Sequence, residues 1–242
     1  MFQGGHAVMR LEVVKNVARV LSLFIVSIFL VSCAPQKKKP SDTQVIEYTV
    51  DGKKLYIPYA YVKFGYTSVG GKSGLIQAFY PGSTPVPGDP NELWEKGEWY
   101  KDVRILFTNP PDPHPQVVLE SMKKFYKADL YAGEQYGLKH LTQSNPDQAY
   151  NEDIWIEDEK AGDFISCSEK TDRDDPVQTC KHVFLTGKTY FKISYDRRLL
   201  PEWKLIKNNV VEMFNSFQSA DTAAAYIQQF YPELKENGGR HD

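Results

Sequence analysis

Asp51-Gly52 lies between two runs of alternating character, residues 44–50 (QVIEYTV) and 53–57 (KKLYI), and leaves the chain little choice there. A type I′ turn needs positive φ at both central residues, which Asp-Gly tolerates. A two-residue turn at that point pairs Val50 with Lys53, Tyr48 with Leu55 and Ile46 with Ile57, so two apolar pairs share one face. Further on, Gly187-Lys188 separates residues 180–186 from 189–195 and suits a type II′ hairpin. Strands are also expected at 59–64, 75–80 and 103–107, with shorter ones at 137–142, 154–157 and 163–167. Residues 81–91 (PGSTPVPGDPN) hold four prolines and read as a long irregular loop. A short helix at 116–125 would put Val118, Leu119, Met122 and Phe125 on one side. A longer one at 201–217, with Pro201 in its first turn, aligns Trp203, Ile206, Val210, Met213, Phe214 and Phe217 in one apolar stripe. A second helix follows at 221–230. Strands dominate and helices come mainly at the end, which predicts an α+β fold: a largely antiparallel β-sheet with C-terminal amphipathic helices.

The first forty residues obey different rules. Arg10, Lys15 and Arg19 precede an apolar run at 20–30 that ends in Leu30-Val31-Ser32-Cys33. A run of roughly ten to fifteen apolar residues suits a signal h-region and is short of the ~20 a spanning helix needs. The four-residue sequence resembles a bacterial lipobox, the recognition sequence of lipoprotein signal peptidase. That resemblance implies that residues 1–32 are a lipoprotein signal peptide and that Cys33 becomes the first residue, with lipid on its sulfur and an acyl group such as palmitate on its amine. Acyl chains at about 0.8 kcal/mol per buried methylene would hold the protein on a bilayer without a transmembrane span. Ala34, where lipoproteins kept in the inner membrane carry Asp, implies the outer membrane, with the domain facing the periplasm. Residues 33–43 (CAPQKKKPSDT) lack an apolar period and read as a flexible tether. Residues 44–242 remain for a single periplasmic α+β domain, a length sufficient for a proper core.

The whole chain carries 29 basic and 31 acidic residues; removing Arg10, Lys15, Arg19 and Glu12 leaves 26 against 30. This balance gives no footprint for nucleic acid. Once Cys33 carries lipid, Cys167 and Cys180 form an even pair in oxidising surroundings, where a disulfide is expected. It would close the polar stretch 168–179 (SEKTDRDDPVQT) and stabilise by about 3 kcal/mol in the chain-entropy model. Two free thiols or a metal pair are the alternative.

Motifs for chemistry are sparse. Residues 65–73 (GYTSVGGKS) approach a phosphate-binding loop, but the leading glycine is one position early and a strand pattern follows instead of a helix. Asp172, Asp174 and Asp175 have the opening spacing of a calcium loop without its glycine or distal glutamate. They read as a solvated acidic face able to attract a basic partner. His114, His140, His182 and His241 have no His or Cys at metal-ligand spacing. No nucleophile elbow or Ser-x-x-Lys pair is present. No catalytic residue, metal or cofactor is therefore assigned. Trp94, Trp99 and Tyr100, in the segment ELWEKGEWYKD, can stack on sugars, anchor a protein interface or pack the loop onto the sheet.

In form alone (lipid anchor, β-rich domain, one disulfide, no catalytic signature) the chain is similar to the immunity lipoproteins that block effectors delivered by type VI secretion. That resemblance implies a non-enzymatic protein that occludes a secreted effector's active site, using exposed aromatics and acidic rim residues. A structural or assembly lipoprotein binding peptidoglycan or a secretion-system component through Trp94, Trp99 and Tyr100 is the alternative. A cell-wall glycan hydrolase using a carboxylate pair is the third.

Overall fold

The computed structural model describes residues 41–62, 71–86, 90–109, 111–143, 152–168 and 178–231. Strands β1 (Val45–Val50) and β2 (Lys53–Pro58) form the expected hairpin, with Val50 opposite Lys53, Tyr48 opposite Leu55 and Ile46 opposite Ile57. Its turn residues Asp51 and Gly52 have φ of 48° and 79°. The pair stands apart as a two-stranded sheet.

The strand expected at 59–64 is instead a single helical turn, α1 (Tyr59–Val62). Ala60, Tyr61 and Val62 are all buried, which an alternating strand with one wet face cannot achieve. The backbone amides of Tyr59 and Ala60 donate to the carbonyls of Gln44 and Asp42, and the Tyr61 hydroxyl donates to Ser83 O at 2.9 Å.

The main sheet has eight antiparallel strands in the order β3 (Ser73–Phe79), β4 (Asp102–Thr108), β10 (Thr189–Asp196), β9 (Thr179–Thr186), β8 (Asp163–Ser168), β7 (Glu152–Asp158), β6 (Leu138–Thr142) and β5 (Leu130–Gln135). After β4 the chain runs through helix α3 (Pro115–Tyr126) to the far edge, then meanders back strand by strand until β10 docks on β4. Strand β5 was not anticipated. Its turn to β6 uses Tyr136 (φ 57°) and Gly137 (φ 76°), the same geometry as Asp51-Gly52 but with a residue that gives no turn signal. The irregular segment at 81–91 is shorter than its prolines suggested: Thr84 bridges back to Phe79, and a short helix, α2 (Pro90–Glu95), begins at Pro90.

One row of side chains crosses seven strands on one face: Ile76, Ile105, Ile193, His182, Ile165, Trp155 and His140. Helix α4 (Trp203–Ser216) covers this face, entered through a 3-10 turn (Arg197–Glu202) that contains Pro201. Its predicted stripe, Trp203 to Phe217, is buried throughout, and Phe214 meets Phe107 and Phe191 edge-on at 5.1 and 4.9 Å. Helix α5 (Ala220–Gln228) and the β1–β2 hairpin close the same core.

The opposite face is only half covered. Helix α3 packs Leu119, Val118, Met122 and Tyr126 against Leu141, Ile154, Ile156, Phe164 and Val183 of β6 to β9. Phe125, expected on the packed side, is 71% exposed, because Tyr126 rather than Phe125 continues the line from Met122 onto the sheet. Beyond the reach of α3, strands β3, β4 and β10 present Gln77, Arg104, Leu106, Lys192 and Ser194, none of them buried. Half-bare antiparallel sheets are ordinary, but this one borders the exposed tryptophan described next.

Candidate functional site

Helix α2 carries two neighbours with opposite fates: Leu93 is buried and Trp94 is 57% exposed. The helix stops at Gly97, whose φ of 67° suits the left-handed position that glycine takes most readily. The amide of Gly97 donates to Trp94 O and that of Glu98 to Leu93 O, the paired bonds of a Schellman end. This reversal returns the chain beside its own helix, so that Trp99 stacks on Trp94 with ring centroids 5.0 Å apart and 14° between planes. The 3-10 turn Trp99–Lys101 then feeds directly into β4.

A distant residue braces the stack. Arg198, from the turn after β10, places its guanidinium carbon 4.5 Å from the Trp99 ring and 4.3 Å from that of Tyr100. Asp196 fixes it, accepting from Nε at 2.8 Å, from the second terminal nitrogen at 3.2 Å and from the Arg198 backbone amide at 2.9 Å. Cation–π contacts of this kind stabilise by roughly 0.5–2 kcal/mol. Trp94, Trp99, Arg198 and Tyr100 therefore form one continuous array, with Trp94 at its wet end.

The array walls a cleft of about 220 Å³ whose other side is the polar end of the bare sheet face. There Asp102 accepts from Gln77 Nε2 at 3.3 Å and from Arg104 Nε at 2.9 Å, while the Arg104 side chain stays 63% exposed. Ser194 and Thr179 add hydroxyls, and buried Val86 and Leu93 add aliphatic surface.

Trp94, Trp99 and Tyr100 are thus brought together, whereas Asp172, Asp174, Asp175 and Cys33 lie outside the described residues. Residues that sequence reasoning missed are Gln77, Asp102, Arg104, Asp196 and Arg198. Strand alternation could have put Gln77 and Arg104 on a wet face, but nothing local joins either to Trp94. Cys167 and Cys180 form a disulfide between directly opposed positions of β8 and β9, both fully buried.

The second polar cluster is internal. His182, 0% exposed, sits in the otherwise mostly apolar row and lies 3.0 Å from Asp163 Oδ1 through Nε2. Burial holds its imidazole below the ordinary range in spite of that carboxylate. Burial alone would push the Asp163 carboxyl up, but bonds from His182 and Lys207 outweigh it and hold the group below the usual carboxylate range. Glu157, Asp163 and His182 bring ligand-capable atoms within 4.8 Å of one another. The Lys207 ammonium already stands among them, 2.5 Å from Glu157 and 2.5 Å from Asp163. It places a cation against both carboxylates, so the arrangement is a partly neutralised ion-pair network that runs from buried His182 to exposed Glu157. His140, stacked on Trp155 at 4.7 Å, and Asp153, bound to Arg197 at 2.7 Å, form a similar brace at the edge of the same face.

No family model matches the chain, and no curated protein sequence matches it. Among solved structures it is similar to Smlt3025, an immunity protein of the Stenotrophomonas maltophilia type IV secretion system, with a TM-score of 0.55 at 15% identity over 74% of this chain and 97% of that one. A likeness to FrpD, the iron-regulated outer membrane lipoprotein of Neisseria meningitidis, has a TM-score of 0.48 at 10% identity over 74% and 95%. The first shows a shared fold.

Proposed function

We propose that this protein is a lipid-anchored, non-enzymatic binding protein of the cell envelope, and most specifically an immunity protein that occludes the active site of an interbacterial toxic effector. The observation that carries the reading is the fold shared with nearly the whole of a secretion-system immunity protein, joined to the resemblance of Leu30-Val31-Ser32-Cys33 to a lipobox. The mechanism is steric. A rigid sheet face offers Arg104, Lys192 and Leu106, and the braced aromatic array at its end offers Trp94 as an anchor. Preorganised aromatic surface adds contact area with little further loss of side-chain freedom, and the exposed Arg104 guanidinium adds a polar contact beside it. The carboxylates lining the cleft, Asp102 and Asp196, are each held by an arginine, which suits bracing better than proton transfer.

The test is co-production with a toxic effector encoded beside this gene and directed to the periplasm. Rescue of growth, together with isolation of a one-to-one complex, supports the reading. If murein is the only envelope component retained by the protein, the assembly-lipoprotein reading replaces it.

A further inference from the structure

The cleft beside Trp94 has a chemistry that the immunity reading does not use. At about 220 Å³ it is smaller than the roughly 300–1,000 Å³ of sites for drug-sized ligands, and it admits a single ring. One wall is aromatic and already stacked, so a ring laid on Trp94 would order nothing new. The other wall has planar polar groups: the Asp102 carboxylate as acceptor, the exposed Arg104 guanidinium as a forked donor, and the Gln77 amide beside them. Aliphatic C–H groups over an aromatic face, with vicinal hydroxyls meeting a carboxylate and a guanidinium, is the recognition that a pyranose demands. Val86 and Leu93 complete the lining with buried aliphatic surface. That surface disfavours an unpartnered hydroxyl and accepts a methyl group.

We infer that this cleft is a subsite for one N-acetylated pyranose ring of a glycan, stacked on Trp94 and hydrogen-bonded to Asp102 and Arg104. The site shares Trp94 and Arg104 with the face proposed to meet an effector, but sugar binding is measured without an effector, so it stands or fails without the immunity reading.

The full-length lipoprotein in detergent micelles would be titrated calorimetrically with tri-N-acetylchitotriose, and with cellotriose as the sugar lacking acetamido groups. Saturable binding of chitotriose is expected, with cellotriose at least about tenfold weaker. Trp94→Ala should weaken chitotriose binding at least about tenfold, and Trp94→Phe should recover most of it. Arg104→Ala, at an exposed side chain, should also weaken binding without moving the urea midpoint. Co-sedimentation with murein sacculi that chitotriose competes away would identify wall glycan as the source of the ring; retention of soluble sugar alone would identify free saccharide.

Absence of chitotriose binding up to about 10 mM by folded protein overturns the inference, as does equal binding by Trp94→Ala. Equal affinity for cellotriose overturns the N-acetyl assignment. Failure with sugar alongside effector neutralisation sinks this inference alone; sugar binding without neutralisation by an intact lipoprotein sinks the immunity reading alone.

Discussion

At the scale of single residues, His182 shows how position overrides composition. A histidine in an isoleucine row is held neutral by burial and tolerated because Asp163 accepts from it and Lys207 neutralises Asp163. The signs are definite. His182 and Asp163 both bind protons less readily in the folded state, so their contribution is present above their ordinary values and is lost on acidification. Lys207, whose ammonium is lowered by burial but raised further by Asp163 and Glu157, contributes below its ordinary value and is lost only in strong alkali. Stability should therefore begin to fall as pH drops below about 6.5, where the unfolded imidazole takes up a proton that the native one refuses. Urea midpoints from pH 8 down to pH 5 would measure this, and His182→Gln should flatten the upper part of the slope. An unchanged slope in that variant would assign the acid sensitivity to other groups.

At the scale of elements, helix α3 decides which half of the sheet stays bare. Its grip depends on Leu119, fully buried against β6 to β9, and hardly on Phe125, which is rotated about 100° from Tyr126 on the contact line. Leu119→Ala should cost about 2–5 kcal/mol, and Phe125→Ala should stay within about 0.5 kcal/mol, both read from chemical denaturation. The helix was legible in its periodicity, but which of Phe125 and Tyr126 faces the sheet depends on how the helix is rotated on its partners. The β8–β9 disulfide belongs to this scale as well. Replacing Cys167 and Cys180 together by alanine should cost about 3 kcal/mol from the loss of the loop constraint, and dithiothreitol should lower the urea midpoint of the wild type and leave the double variant unmoved.

At the scale of the whole molecule, the resemblance of Leu30-Val31-Ser32-Cys33 to a lipobox predicts that Cys33 ties the domain to a bilayer. Radioactive palmitate should label the wild type and not Cys33→Ala, and the variant should leave the membrane fraction; an unlabelled wild type would remove the envelope reading. Short-range pattern determined much of the rest. Turn chemistry at Asp51-Gly52 set the register of the first hairpin, the 3.6-residue period exposed the stripe from Trp203 to Phe217, and the even pair of cysteines anticipated its bond. Each depends on residues close in sequence or on simple parity. The segment at 59–62 escaped the same logic because an apolar run reads alike as a buried strand or a helical turn, and only the hydrogen bonds back to Gln44 and Asp42 separate them. The candidate cleft was legible only in part. Trp94, Trp99 and Tyr100 were visible as candidate binding aromatics, yet the brace comes from Arg198 and the polar counterpart from Gln77 and Asp102. Gln77 and Asp102 meet through the pairing of β3 with β4, and Arg198 joins them because β10 returns to pair with β4 after the chain has crossed the sheet and come back. Contacts between such remote segments depend on closing a long loop against its entropy, and no local preference of either segment encodes the meeting.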